Sequence, residues 1–248
     1  MAIPHMSLDE LVSQLRLVHG ELLEAVVLYG SAASDEQIKG HSDQNVLVIV
    51  TSLSVVTLQK LSQTTRAWNE AGNIPPLTIT HDEWRRSTDI FPMEYADILE
   101  RHRVLFGSLL LDGIQVNRQH LRLQVEQEAM GKLLRLRRGV MAAGTDHDKQ
   151  SQLMRASLSA LLVIFRGVLR LHGETPARDA TRVAERVGQR CGFSAAPFER
   201  VVALVRGRAL DTSETEGTLA GYVTGMESLV QYLDRFAPPT PSADSHHS

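Results

Sequence analysis

The pattern of apolar and polar positions changes its period several times in the first half of the chain. Between residues 8 and 22 apolar side chains recur at helical spacing, which predicts a helix after the capping-box pair Ser7 and Glu10. Short apolar runs then predict strands, and strands mixed with helices predict a small sheet domain. The expected strands are 24–29, 45–51 and 77–80, with a further apolar run at 104–107 and helices at 54–71 and 81–87.

The second half shows helical periodicity almost throughout. Glycines mark short links between the helices, as in antiparallel helical bundles. This change from mixed periodicity in the first half to helical periodicity in the second predicts an α+β chain. It would have a small mixed-sheet domain over residues 1–114 and an all-α helical bundle over 115–237. The Pro- and Ser-rich segment 238–248 is expected to be a disordered tail. The predicted helices are 118–143, 149–172, 176–191, 195–206 and 214–236.

Composition narrows the class of protein without selecting a function. With 248 residues and 43% hydrophobic content, the chain can form one or two domains with sizeable cores. A single cysteine, Cys191, excludes an intrachain disulfide and a thiolate zinc cluster. We see no export signal and no apolar run long enough to span a bilayer, so we expect a cytoplasmic protein with no membrane partner.

The candidate chemistry lies where the first two predicted strands meet their connecting turn. Gly30 and Ser31 follow the first strand, and Ser42, Asp43 and Asn45 stand at the start of the second. A glycine at such a turn lets the backbone approach phosphate oxygens, which the following N–H groups and hydroxyl can bind. Two carboxylates separated by one residue on a strand point to the same face, so together they can hold magnesium.

This layout resembles the signature of the nucleotidyltransferase superfamily, a Gly-Ser turn followed by Asp-x-Asp on the adjacent strand. The resemblance implies that Gly30, Ser31 and Ser42 bind a nucleoside triphosphate. It also implies that Asp43 is catalytic and ligates Mg²⁺, with Asn45 as a neutral second ligand. An amide binds magnesium less well than a carboxylate, so Mg²⁺ is expected to bind weakly. The interpretation requires the Ser31 hydroxyl and Asp43 to converge in one pocket.

Superfamily enzymes commonly add a third carboxylate on a later strand. The best candidate strand, 77–80, offers threonines, with His81 and Asp82 just beyond its end. Two of the three expected acidic positions therefore differ from the superfamily pattern.

The segment 89–98 leaves two interpretations open. Either Glu94 or Asp97 replaces a missing metal ligand, or a turn anchored by proline buries Phe91 and Tyr95.

In the helical half, residues 158–171, closed by residues 172–176, resemble the helix pair of HEPN-type or aminoglycoside-nucleotidyltransferase-type helical domains. In related aminoglycoside enzymes a glutamate of the helical domain acts as general base, which makes Glu126 and Glu128 candidates. The alternative is helix support, because Glu128 and Lys132 have i,i+4 spacing. No aromatic residue interleaves with the basic residues of this helix, so a nucleic-acid partner is not expected.

Two functions remain open from the sequence. An active enzyme would transfer a nucleoside monophosphate from a nucleoside triphosphate to a hydroxyl acceptor and release pyrophosphate. Alternatively, a catalytically degraded protein with the nucleotidyltransferase fold binds a nucleotide or a partner protein in a regulatory or antitoxin-like role. The sequence selects neither the acceptor nor the base, and it leaves a homodimer open.

Overall fold

The computed structural model of the chain describes residues 6–33 and 44–236. The chain divides into two compact units, the first ending at Asn117 and the second beginning at Arg118. Among the described residues the first unit contains a four-stranded sheet, and the second is helical. The predicted α+β class is therefore confirmed. The elements of the first unit are α1 (Leu8–His19), β1 (Leu23–Tyr29), β2 (Asn45–Val50), α2 (Val55–Lys60), α3 (Ser62–Glu70), β3 (Leu77–Thr80), α4 (His81–Arg86), α5 (Pro92–Glu100) and β4 (His102–Gly107), with 3-10 turns at Gly20–Leu22 and Gly30–Ala33.

The sheet has the strand order β3-β2-β1-β4. Strand β1 is antiparallel to β2 and β4, and β2 is parallel to β3. Tyr29 at the end of β1 pairs with Asn45 on β2 and with His102 on β4. Val50 pairs with Thr80 at the opposite end of the sheet. The Gly-Ser turn follows Tyr29 directly, so it lies at the Asn45 end.

Hydrophobic clusters cover both faces of the sheet. On one face, alternate residues of β1 and β2 pack with α1 and with Trp68 of α3. On the other face, Leu47 and its alternate neighbours pack with Trp84 of α4 and Tyr95 of α5. Asn45 is two residues before Leu47, so strand alternation places it on the face covered by α4 and α5.

The ambiguous segment 89–98 forms mainly helix α5. Pro92 occupies the first turn of this helix, where its missing N–H leaves no intrahelical bond unmade. Tyr95 is buried, but Phe91 is 44% exposed. The interpretation in which a turn buries both Phe91 and Tyr95 is therefore wrong for Phe91.

Among the described residues the second unit consists of five helices around an aromatic core. Phe198 lies at its centre, with ring centroids 5.0 Å from Phe165 and 4.7 Å from Tyr222. These rings are almost fully buried, so they tie three helices together. The helices are α6 (Arg118–Ala143), α7 (His147–Leu171), α8 (Ala180–Cys191), α9 (Ala196–Val205) and α10 (Thr212–Arg235).

Helix α7 is more apolar than expected. Within residues 6–33 and 44–236 it is the one helix that is long and apolar enough to cross a membrane, contrary to the expectation that no run reaches that length. However, 56% of its most apolar window is buried inside the protein. The core helix of a helical bundle is likewise long, apolar and mostly buried.

His19 is expected to make stability depend on pH. Its side chain is 4% exposed, and neither ring nitrogen has a hydrogen-bond partner. Burial lowers the pKa of His19 from its ordinary 6.5, so the unfolded chain binds a proton more readily than the folded protein. The free energy of unfolding should therefore fall as the pH drops below about 6.5.

Urea denaturation of wild type and His19→Leu between pH 5 and 8 checks this, because the variant should show a weaker decline. Identical pH profiles would exclude the effect.

Candidate functional site

The candidate site is built around Gly30, at the Asn45 end of the sheet. Gly30 has φ +75°, a left-handed conformation that favours glycine. Its N–H donates to the carbonyl oxygen of Arg101, just after α5, at 3.2 Å. This bond joins the turn after β1 to the end of α5. The N–H of Gly30 is thus used within the chain.

Asn45 and Asp97 border the space above Gly30. A Cβ atom placed on Gly30 would lie 3.2 Å from Asn45 Nδ2 and 4.0 Å from Asp97 Oδ2. Any side chain at residue 30 would therefore intrude on the space that these two groups share. The structure brings Asp97, one of the two suggested replacement carboxylates, to the Gly-Ser turn.

The carboxylates of α5 act on the Tyr29 phenol at this end of the sheet. Burial raises the pKa of Tyr29 to about 12, and the charges of Glu94 and Asp97 add to the rise. The Tyr29 phenol is therefore neutral at physiological pH. Sequence reasoning missed Tyr29 as a member of the site.

Strand β3 brings no carboxylate to this face of the sheet. Thr78 pairs with Val48, whose side chain belongs to the cluster on the opposite face. The β3 residues on the Asn45 face are Leu77 and Ile79, both apolar. The threonines expected at the third acidic position therefore face away from Asn45.

His81 and Asp82 are also remote from Asn45. They follow Thr80, which pairs with Val50 at the far end of β2. His81 Nδ1 lies 2.9 Å from a carboxylate oxygen of Glu24, near the start of β1. The parallel pairing of β2 and β3 thus removes both residues from the candidate site.

Several predicted site residues lie outside the described part of the chain. Ser42 and Asp43 belong to the undescribed segment 34–43, and the side chain of Ser31 is not described either. Their roles, and the convergence of Ser31 with Asp43, stay predictions.

The described residues do not assemble a magnesium site by themselves. Within residues 6–33 and 44–236 there is no group of three or more His, Cys, Asp or Glu side chains that could hold a metal ion. Next to Gly30, Asn45 offers a neutral amide oxygen and Asp97 a single carboxylate. Magnesium prefers charged oxygen ligands. A resident magnesium ion therefore does not fit these residues alone.

The glutamates suggested as general bases form ion pairs along α6. Glu126 lies 3.1 Å from Arg122, and Glu128 lies 3.7 Å from Lys132, both at i,i+4 spacing. Such pairs support a helix. The geometry therefore agrees with the helix-support alternative for both residues.

The small mixed sheet followed by a helical unit is the fold of a solved adenyltransferase. The chain is similar to spectinomycin adenyltransferase AAD(9) from Enterococcus faecialis, whose crystal structure contains ATP and spectinomycin. The two share 11% sequence identity with a TM-score of 0.58, over 92% of this chain and 98% of that chain. At this identity the likeness shows the fold, and it confirms the predicted resemblance. No protein-family model matches the sequence, and no curated protein matches it.

Proposed function

We propose that the chain is a nucleotide-binding protein with the nucleotidyltransferase fold in which nucleotidyl transfer has been lost. The observation that carries this proposal is the face beside Gly30, where β2 presents the neutral Asn45 and β3 presents Leu77 and Ile79. Nucleotidyl transfer builds negative charge that cations held by several carboxylates normally stabilise. An amide and two aliphatic side chains do not hold such cations.

The proposed ligand is a nucleoside triphosphate together with its bound cation. A bound cation offsets part of the charge of a triphosphate that lies beside the carboxylate of Asp97. The 3-10 turn Gly30–Ala33 directly follows β1, where the superfamily pattern places the turn that binds the triphosphate. The ATP bound to the similar adenyltransferase supports this choice of ligand.

Calorimetric titration of the full chain with ATP tests the proposal. We expect binding in the presence of magnesium, roughly tenfold or more weaker binding in EDTA, and no pyrophosphate release with hydroxylated acceptors. Failure to bind ATP under either condition would contradict nucleotide binding. Pyrophosphate release that disappears in Asp43→Ala would contradict the loss of transfer.

A second candidate function is transfer of a nucleoside monophosphate to a hydroxylated small molecule. The observation that favours it is the position of Asp97, whose Oδ2 borders the space above Gly30. Asp97 together with Asp43 would restore two of the carboxylates that the superfamily pattern requires. The acceptor class follows from the spectinomycin bound to the similar adenyltransferase. In this case Asp97→Asn and Asp43→Ala would each abolish a measurable turnover.

Replacing Gly30 by alanine is expected to weaken ATP binding by about tenfold or more. The new Cβ would lie 3.2 Å from Asn45 Nδ2 in a strained left-handed backbone. Gly72→Ala is a matched control, because Gly72 has φ +88° but open space around the added Cβ. The same titration measures both variants, and thermal unfolding checks that each is folded. Equal losses in the two variants, or full affinity in Gly30→Ala, would argue against the Gly30 site.

A further inference from the structure

His102 belongs to a strand through its backbone and contacts a helix through its side chain. Its backbone begins β4 and pairs with Tyr29 of β1. Its partly buried imidazole places Nδ1 2.6 Å from the carbonyl oxygen of Ile98, in the last turn of α5. A carbonyl oxygen only accepts hydrogen bonds, so Nδ1 carries the hydrogen and donates. One residue therefore connects the end of α5 to the sheet.

The imidazole bond takes the place of a helical bond that α5 loses where it ends. An α-helix ends with carbonyl groups that no further helical N–H can reach. The Arg101 N–H still donates to the carbonyl oxygen of Asp97 at 2.8 Å. The next helical bond would run from the N–H of residue 102 to Ile98, but that backbone already belongs to β4. The side chain of His102 donates to Ile98 instead.

The segment that His102 holds is the one that borders Gly30. Asp97 directly precedes Ile98, and its Oδ2 lies 4.0 Å from the position of a Cβ on Gly30. Arg101 directly precedes His102, and its carbonyl oxygen accepts from the Gly30 N–H at 3.2 Å. The bond from residue 102 back to residue 98 thus closes a short loop, and the two residues that contact the Gly30 turn lie next to its two ends.

We propose that His102 is a positioning residue of the nucleotide site, whose Nδ1–H holds the end of α5 so that the Asp97 carboxylate stays beside Gly30. In this role His102 does not contact the nucleotide and acts through Asp97. Binding groups are effective only when hydrogen bonds from their neighbours hold them in place. The proposal rests on the nucleotide binding proposed above.

Two substitutions separate the donated hydrogen bond from the rest of the imidazole ring. His102→Leu removes the donor and should weaken the binding of magnesium-ATP about fivefold or more in calorimetric titration. His102→Asn should restore most of the affinity, because its amide N–H can occupy the place of Nδ1. Full affinity in His102→Leu, or a His102→Asn variant as weak as His102→Leu, would overturn the proposal.

His81→Leu is the matched control for the loss of a histidine contact. His81 Nδ1 lies 2.9 Å from Glu24, at the end of the sheet remote from Asn45. The control should bind magnesium-ATP as wild type does. A loss equal to that of His102→Leu would overturn the proposal, because it would show that any such contact in the unit matters equally.

A double-mutant cycle tests whether His102 acts through Asp97. In an Asp97→Asn background the positioned group has lost its charge, so His102→Leu should weaken binding less than about twofold. Equal fold-losses in both backgrounds would overturn the proposal. Such additivity is what a general weakening of the fold would produce.

Amide hydrogen exchange in the free protein tests the positioning without any nucleotide. The Gly30 N–H should exchange about fivefold or more faster in His102→Leu than in wild type, and at the wild-type rate in His102→Asn. The Thr51 N–H, which donates to the Leu22 carbonyl oxygen at 2.9 Å, lies at the opposite end of the sheet and should keep its rate in both variants.

The exchange rates also separate this proposal from the proposed function. A wild-type chain that does not bind ATP would contradict the proposed function, while the Gly30 rate would still decide whether His102 holds the turn. Unchanged exchange at Gly30 in His102→Leu would overturn the positioning role. An equal rise at Gly30 and Thr51 would overturn it too, because it would report general destabilisation.

Discussion

Replacing Trp84 by alanine is expected to lower the free energy of unfolding of the first unit by about 3–5 kcal/mol. Trp84 is 1% exposed, and its ring stacks on Tyr95 with centroids 4.4 Å apart. Its Nε1 donates to the carbonyl oxygen of Leu110 at 3.0 Å, and the Tyr95 hydroxyl donates to the Trp84 carbonyl oxygen at 2.6 Å. The substitution removes the aromatic contact that holds α5 on the sheet.

The same substitution is expected to weaken ATP binding, because α5 carries Asp97 and leads to the Arg101 carbonyl that holds Gly30. Urea denaturation followed by the fluorescence of Trp68, the other tryptophan of the chain, measures the stability of this unit. Phe91→Ala is the matched control, since Phe91 stands just before α5 and is 44% exposed. It should cost about 1 kcal/mol or less. Similar costs for both variants would contradict this account of how α5 is held.

Replacing Asn45 by aspartate is expected to change the affinity for ATP in opposite directions with and without magnesium. The second carboxylate adds a charged oxygen ligand beside Gly30, so magnesium-ATP should bind roughly tenfold more tightly. Without magnesium the same carboxylate adds a negative charge near the phosphates, so free ATP should bind more weakly. Calorimetric titration in magnesium and in EDTA measures both affinities.

Asn73→Asp is a control that adds the same charge near this end of the sheet. Asn73 Oδ1 accepts a hydrogen bond from the Gln44 N–H at 3.1 Å, and an aspartate oxygen can keep that bond. Its effect on both affinities should be small. An Asn45→Asp variant that behaves like Asn73→Asp would show that residue 45 does not contact the nucleotide or its cation.

Local elements could be predicted because their signals are local. The capping box of α1 is present, with the Glu10 carboxylate accepting from the Ser7 N–H at 2.7 Å. The predicted helix 118–143 coincides with α6, and the first strands differ from expectation by about one residue. The predicted helix 54–71 instead divides into α2 and α3 at Leu61. Neither glycine nor proline marks that break, so the sequence pattern does not reveal it.

The candidate site was less predictable because it depends on contacts between distant segments. Which face Thr78 occupies follows from the parallel pairing of β3 with β2, and no local pattern fixes a strand's partner or register. The approach of Asp97 to Gly30 follows from the packing of α5 on Trp84. Sequence reasoning could name Asp97 as a substitute carboxylate, but only the packing of α5 places it beside the turn.

Titration of the isotope-labelled chain with manganese-ATP, followed by nuclear magnetic resonance, tests most directly where the nucleotide binds. A paramagnetic ion broadens the signals of nearby amides, and the two ends of β2 are roughly 17 Å apart. The account predicts broadening at Gly30, Asn45 and Asp97, with the signals of Val50 and Thr80 largely preserved. Broadening centred on Val50 and Thr80, or none at either end, would contradict it.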